Sequence, residues 1–159
     1  MRKAFAGLAI LLLLIVVAQF FFAASGAFST GPRDESFRAH HALGYVIFLL
    51  PVVMTIVAAL ARIPGRLIGM TALIAGLTVV QVLIAVLAKA IGEATTAGQL
   101  VFGLHAVNGL AILVVAGMIA RQARALVRSA APARRAVAGA GDDAGASGPV
   151  AGSARPAAS

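Results

Sequence analysis

The sequence predicts an all-α fold, an integral four-helix bundle of the cytoplasmic membrane made of two αα-hairpins with both termini on the cytoplasmic side. Three observations predict it. The 159 residues are 61% hydrophobic with a mean hydropathy of +1.01, well outside the composition of water-soluble domains. The apolar residues gather in four runs, residues 4–24, 42–61, 67–88 and 100–120, each of about 20 residues and so able to cross roughly 30 Å of hydrocarbon. Charged residues are only 11% of the chain and stand at the ends of those runs, as the cost of an ionised group in lipid requires.

Each run must be helical, because lipid offers no partner to a backbone N–H or C=O. Span 1 follows Arg2 and Lys3. A secretory signal is the rival reading of this segment, but its apolar run exceeds the roughly 7 to 15 residues of a signal core, so a retained helix is expected. Span 2 carries Pro51 near its middle; the missing N–H leaves the Ile47 carbonyl without its helical donor and predicts a kink. A tight "RIPGR" turn joins it to span 3, and "KAIGEATTAGQ" joins span 3 to span 4. Arg2, Lys3, Arg62, Arg66, Arg121, Arg124, Arg128, Arg134 and Arg135 then share one side, while Arg33 and Arg38 on the other are offset by Asp34 and Glu35. By the positive-inside rule that first side is cytoplasmic.

Residues 1–125 form the expected transmembrane domain. Residues 126–159 read as a basic, Ala/Gly/Pro-rich cytoplasmic tail with no apolar periodicity, expected to be disordered because it cannot bury enough surface to offset its ordering entropy. Its arginines suit a lipid surface better than nucleic acid, since no aromatic residues are interleaved with them. The chain has no cysteine, which excludes disulfides, thiolate metal sites and thiol chemistry. No hydrolase triad, phosphate loop or pair of intramembrane carboxylates occurs, and a permease reading has no charged pathway to rest on.

The informative residues are polar ones inside the spans. Counting from the flanking charges, Gln19, Gln81, His105 and Asn108 share a layer about 20 to 24 Å from the cytoplasmic side. His40 and His41, at the start of span 2, fall about 7 to 9 Å shallower than His105 by the same count. The stretches "HHALG" and "HAVNG" place His40 with Gly44 and His105 with Gly109 four residues apart, on one helix face, where a glycine clears room beside the imidazole. Two readings are open. His105 with His40 or His41 could be axial ligands of a b-type haem, with Gly44 and Gly109 giving ring clearance and Asn108, Gln81 and Gln19 lining the layer. Alternatively, the layer serves only helix packing in a non-catalytic scaffold or accessory subunit, each interhelical bond contributing about 0.6 to 2 kcal/mol.

Among the remaining features, Ala72, Gly76, Gly109 and Gly117 would permit close helix approach. Tyr45 would be an interfacial anchor, and Lys89 with Glu93 would be a local pair at the end of span 3.

At "HHALGYVIFLLPVVMTIVAALARIPGRLIGM" and "GLHAVNGLAILVVAGMIAR" the chain resembles an uncharacterised family of small four-helix membrane proteins of high-GC bacteria, over about residues 1 to 125. That resemblance implies a fold and no activity. More distantly, "HHALGY" and "LHAVNG" resemble the histidine-bearing helices of membrane b-type cytochromes and of haem A synthase. This second resemblance implies haem ligation by His40 and His105. Those proteins often carry an arginine where this chain has His41, so a propionate contact is not implied; haem A synthase is also about twice this size, with ligands on two bundles, so synthase activity is not implied. Electron transfer between quinol and an external acceptor, or haem handling, is the role such a centre would serve, with quinol or another membrane protein as its partner.

Overall fold

The computed structural model describes residues 1–92 and 94–146, with side chains as far as Ser129. Among these residues five helices follow one another: α1 (Arg2–Ala27), α2 (Arg33–Ser36), α3 (Arg38–Leu60), α4 (Gly65–Ile91) and α5 (Thr96–Ala146). Among the described residues there is no strand. α1, α3, α4 and the Thr96–Ser129 part of α5 are each long and apolar enough to cross a membrane. All four outrun the predicted spans, because the polar flanks continue the helices beyond the apolar run. His40 and His41 therefore lie within α3, not ahead of it. The backbone of α5 runs on to Ala146, where an unstructured tail was expected from residue 126; residues 147–159 of that expected tail, and Glu93 of the expected Lys89 pair, lie outside the described residues.

Met1–Val127 form one compact unit. Within it α1 packs on α3 and α3 on α4. α4 is hydrogen-bonded to α5, and Phe20 of α1 lies 3.5 Å from where a Cβ on Gly109 of α5 would stand. The helices thus follow one another around the bundle as α1, α3, α4, α5, which sets α1 diagonally opposite α4 and α3 opposite α5. The bundle exterior is apolar, with Phe21 68% and Val107 63% exposed among many such residues. In water such a surface would aggregate; against acyl chains it costs nothing. Tyr45 joins it, 73% exposed.

The core repeats. A shift of 62 residues carries Phe5, Ala9, Leu12, Val16 and Gly26 of α1 onto Leu67, Thr71, Ile74, Thr78 and Ala88 of α4, all of them buried. A shift of 65 carries Ile47, Pro51, Met54 and Ala58 of α3 onto Ile112, Ala116, Ile119 and Ala123 of α5, again all buried. The spacing of three and four residues is that of one helix face. Two hairpins, α1 with α3 and α4 with α5, therefore bury the same positions, as parallel repeats do.

The helix ends are specified locally. α3 ends at Leu60 with Ala61 as its C-cap, after which Arg62 takes φ 51°. The Arg62 N–H donates to the Ala59 carbonyl and the Ile63 N–H to the Ala58 carbonyl. This is a Schellman closure, with Ile63 buried against Ala58 and Pro64 preventing continuation. Gly92 ends α4 at φ 114°, a conformation open to glycine. Gly26 allows a close crossing: a Cβ there would lie 2.8 Å from the Ser36 carbonyl oxygen. Below Pro51, the Thr55 hydroxyl lies 2.8 Å from the Pro51 carbonyl and 2.9 Å from the Thr71 hydroxyl, tying α3 to α4. The small residues expected to bring helices together divide: Gly109 does, whereas Ala72 and Gly76 face outward and Gly76 and Gly117 have nothing within 4 Å of a Cβ. Their helix faces point away from the neighbouring helices, which spacing along one helix does not reveal.

Candidate functional site

The polar layer lies toward the end of the bundle that carries α2, where α1 and α3 meet and α4 and α5 meet. In the first hairpin the Gln19 side-chain amide donates from Nε2 to the His40 carbonyl at 2.9 Å, and the His40 Nδ1 lies 3.4 Å from the Gln19 carbonyl. In the second, Gln81 Nε2 donates to the His105 carbonyl at 2.8 Å, and His105 Nδ1 lies 3.2 Å from the Gln81 carbonyl. Each pair is a reciprocal clasp of side chain to backbone. A helical carbonyl already accepts from the N–H four residues on but has a second lone pair, so these bonds add to the helix without breaking it.

The glycines complete the clasp. A Cβ on Gly44 would stand 3.7 Å from Gln19 Nε2, and one on Gly109 would stand 3.7 Å from Gln81 Nε2. The glutamine amides lie against the helix face that these glycines clear. A methyl group would just fit; anything larger would displace them.

A backbone carbonyl can only accept, so a hydrogen bond at either contact requires the proton on Nδ1. In the neutral ring this leaves the Nε2 lone pair as the free metal-ligating position. Metal-bound histidines are oriented in this way, with the second ring nitrogen donating to a carbonyl or carboxylate.

The two rings meet across the α3–α5 diagonal, with centres 6.3 Å apart and planes inclined at 41°. A metal bound linearly between two imidazole nitrogens at about 2.0 to 2.1 Å sets the ring centres roughly 6.4 Å apart. His40 and His105 are both half-buried, over the apolar core. His41 is exposed; its ring lies 5.9 Å from that of His40 and stacks on Phe37 at 6.4 Å. Among the described residues no three His, Asp or Glu side chains gather as a metal-ion cage. Two imidazoles at this separation suit a metal whose other ligands come from a macrocycle, more than a bare ion needing four protein donors.

The expected depth difference between His40 and His105 is absent, and the repeat explains why. Ala58 and Ala123 occupy equivalent positions, so Arg62 is level with Val127, six residues beyond Arg121. At 1.5 Å per residue that offset is about 9 Å, which is the whole discrepancy. The arginines were unequal rulers, because α3 ends near its charge and α5 runs past its own.

All the remaining layer residues come together. Asn108 donates from Nδ2 to the Leu77 carbonyl at 2.8 Å and to Gln81 Oε1. Two aromatic residues escaped the sequence reading. Phe102 lies flat on His105, ring centres 5.0 Å apart at 12°, and Phe37 meets His40 edge-on at 6.0 Å. Both stand three residues before their histidine, so the signal was present as a repeated FxxHxxxG, in "FRAHHALG" and "FGLHAVNG".

The fold and this layer together define an apolar bundle of two repeated hairpins, each closed by a glutamine–histidine clasp. Residues 19–89 match the model of a family of unknown function (DUF6220). The matched stretch opens at Gln19, takes in Phe37, His40, Gly44 and Gln81, and stops before His105. No curated protein and no solved structure matches the chain.

Proposed function

We propose that the bundle binds one haem b between His40 and His105 and carries electrons between a membrane quinol and an acceptor on the non-cytoplasmic side, with Met1 and the end of the fourth span in the cytoplasm. The observation that carries this reading is the pair of clasps. Each fixes an imidazole with Nδ1 on a backbone carbonyl, leaving two Nε2 lone pairs on rings spaced as axial ligands of one metal would be. The haem would supply a one-electron iron couple. Gln19 and Gln81 hold the ligand-bearing helices in register. Phe37 and Phe102 give aromatic walls to the layer, and the packed core beneath it, from Ile47 and Ile112 downward, keeps water from the cytoplasmic side. The orientation rests on Arg2, Lys3, Arg62, Arg66 and Arg121, which share one end of the bundle.

The test is optical. The full chain, expressed with ample haem and purified in mild detergent, should show Soret and α bands; their absence refutes the reading. His105→Ala should abolish them. Of His40→Ala and His41→Ala, the variant that alters the spectrum names the second ligand, and we expect His40.

A second reading is favoured by one observation, that the layer closes largely upon itself. Gln19, His40, Gln81, His105 and Asn108 all bond within their own hairpin. On this reading the protein is a membrane scaffold or accessory subunit, and Asn108→Leu would weaken helix association in a protein without visible absorption.

A further inference from the structure

We infer that the two imidazoles are unequal: His105 is the permanent haem ligand and His40 the exchangeable one, so that a small diatomic molecule reaches the iron from the α3 side. This rests on the haem reading above.

The inequality is built from several independent contacts. The Gln81 amide is held at both ends, Nε2 on the His105 carbonyl and Oε1 by Asn108, which is itself anchored on the Leu77 carbonyl. The Gln19 amide is held at one end only: its Oε1 is buried with no hydrogen-bond partner among the described residues. The cause is a single residue. Position 108, just before Gly109, is asparagine, and the equivalent position 43, just before Gly44, is leucine. A buried carbonyl without a donor forfeits a hydrogen bond that water would have supplied, so the first clasp is the weaker.

The ring contacts agree. Phe102 covers the flat of the His105 ring, whereas Phe37 touches His40 only edge-on. Exchange at the iron is a ligand substitution: the bond from His40 Nε2 breaks, the ring keeps its lone pair, and the incoming carbon or nitrogen donates its own. No electron is transferred.

Carbon monoxide is the probe. The haem-loaded full chain is reduced with dithionite and titrated, following the Soret band. The wild type should bind carbon monoxide. Leu43→Asn, which gives Gln19 Oε1 the donor that Gln81 enjoys, should weaken that binding about three- to tenfold, the worth of one hydrogen bond in a membrane protein. Asn108→Leu, which leaves both clasps single, should strengthen it. Without haem, Leu43→Asn should melt at a higher temperature than the wild type. A haem-loaded wild type that refuses carbon monoxide overturns the inference. So does unchanged affinity in Leu43→Asn, or in Asn108→Leu should the first variant fail to retain haem, and so does an unchanged haem-free melting temperature in Leu43→Asn. A wild type that holds no haem at all overturns the preceding proposal instead.

Discussion

Replacing Gln81 by leucine should cost about twice as much stability as replacing Gln19. The two substitutions are matched: leucine has nearly the volume of glutamine, and both side chains lie at 3.7 Å from the Cβ position of a glycine. They differ in what they remove. Gln81→Leu deletes the bond to the His105 carbonyl and the bond from Asn108, while Gln19→Leu deletes the bond to the His40 carbonyl alone. The His carbonyls keep their helical donors in either variant, so no backbone group is orphaned. At about 0.6 to 1.7 kcal/mol for each interhelical bond in a membrane protein, Gln81→Leu should cost roughly 1 to 3 kcal/mol and Gln19→Leu about half of that. Asn108 retains its bond to the Leu77 carbonyl, which keeps the larger figure from growing. The assay is reversible unfolding in mixed micelles of mild detergent and increasing sodium dodecyl sulfate, followed by far-ultraviolet circular dichroism. Equal losses, or a larger loss for Gln19→Leu, would show that the Asn108 contact carries no weight and that the clasps are equivalent.

Three further substitutions probe the scaffold by the same unfolding measurement. Gly26→Ala should destabilise by about 1 to 3 kcal/mol, because its methyl group meets the Ser36 backbone oxygen at 2.8 Å and backbone yields poorly; a neutral result would mean that the contact between α1 and the end of α2 relaxes freely. Arg62→Gly should stabilise by about 1 kcal/mol, since glycine takes φ 51° without the Cβ clash that arginine bears there. No gain would indicate that the arginine side chain offsets the strain. Gly44→Ala should be neutral or mildly stabilising, and Gly44→Leu should mimic the loss of Gln19, because only the larger side chain reaches the amide. Equal effects of the two would contradict the clearance argument.

The fold was legible in the sequence because lipid leaves so few options. Length, apolar content and the positions of arginine were enough for four helices and two hairpins. The HxxxG pairing of His40 with His105 was legible too, and the structure brings those two ring centres to 6.3 Å. What the sequence hid was long-range. Gln19 reaches a carbonyl 21 residues away, a distance set by how α2 and the close crossing at Gly26 return the chain. The depth of His40 was misjudged because Arg62 and Arg121 mark different levels. Gly76 and Gly26 look alike as letters, yet one faces outward and the other packs against backbone, and only the neighbouring helix decides. The repeat itself could have been read by sliding Phe5–Gly26 against Leu67–Ala88, but hydrophobicity alone blurs that register. Threonines in one copy stand where alanine and valine stand in the other.

The matched burial of the two hairpins has a consequence for how the protein can change. In a dimer of identical subunits every substitution is made twice, so a residue cannot be improved on one side of the centre without being altered on the other. Joining two such hairpins in one chain removes that constraint. Position 43 can be leucine while position 108 is asparagine, and Pro51 can answer to Ala116. A centre that begins with two equal arms can then become directional, with one arm for holding and the other for letting go.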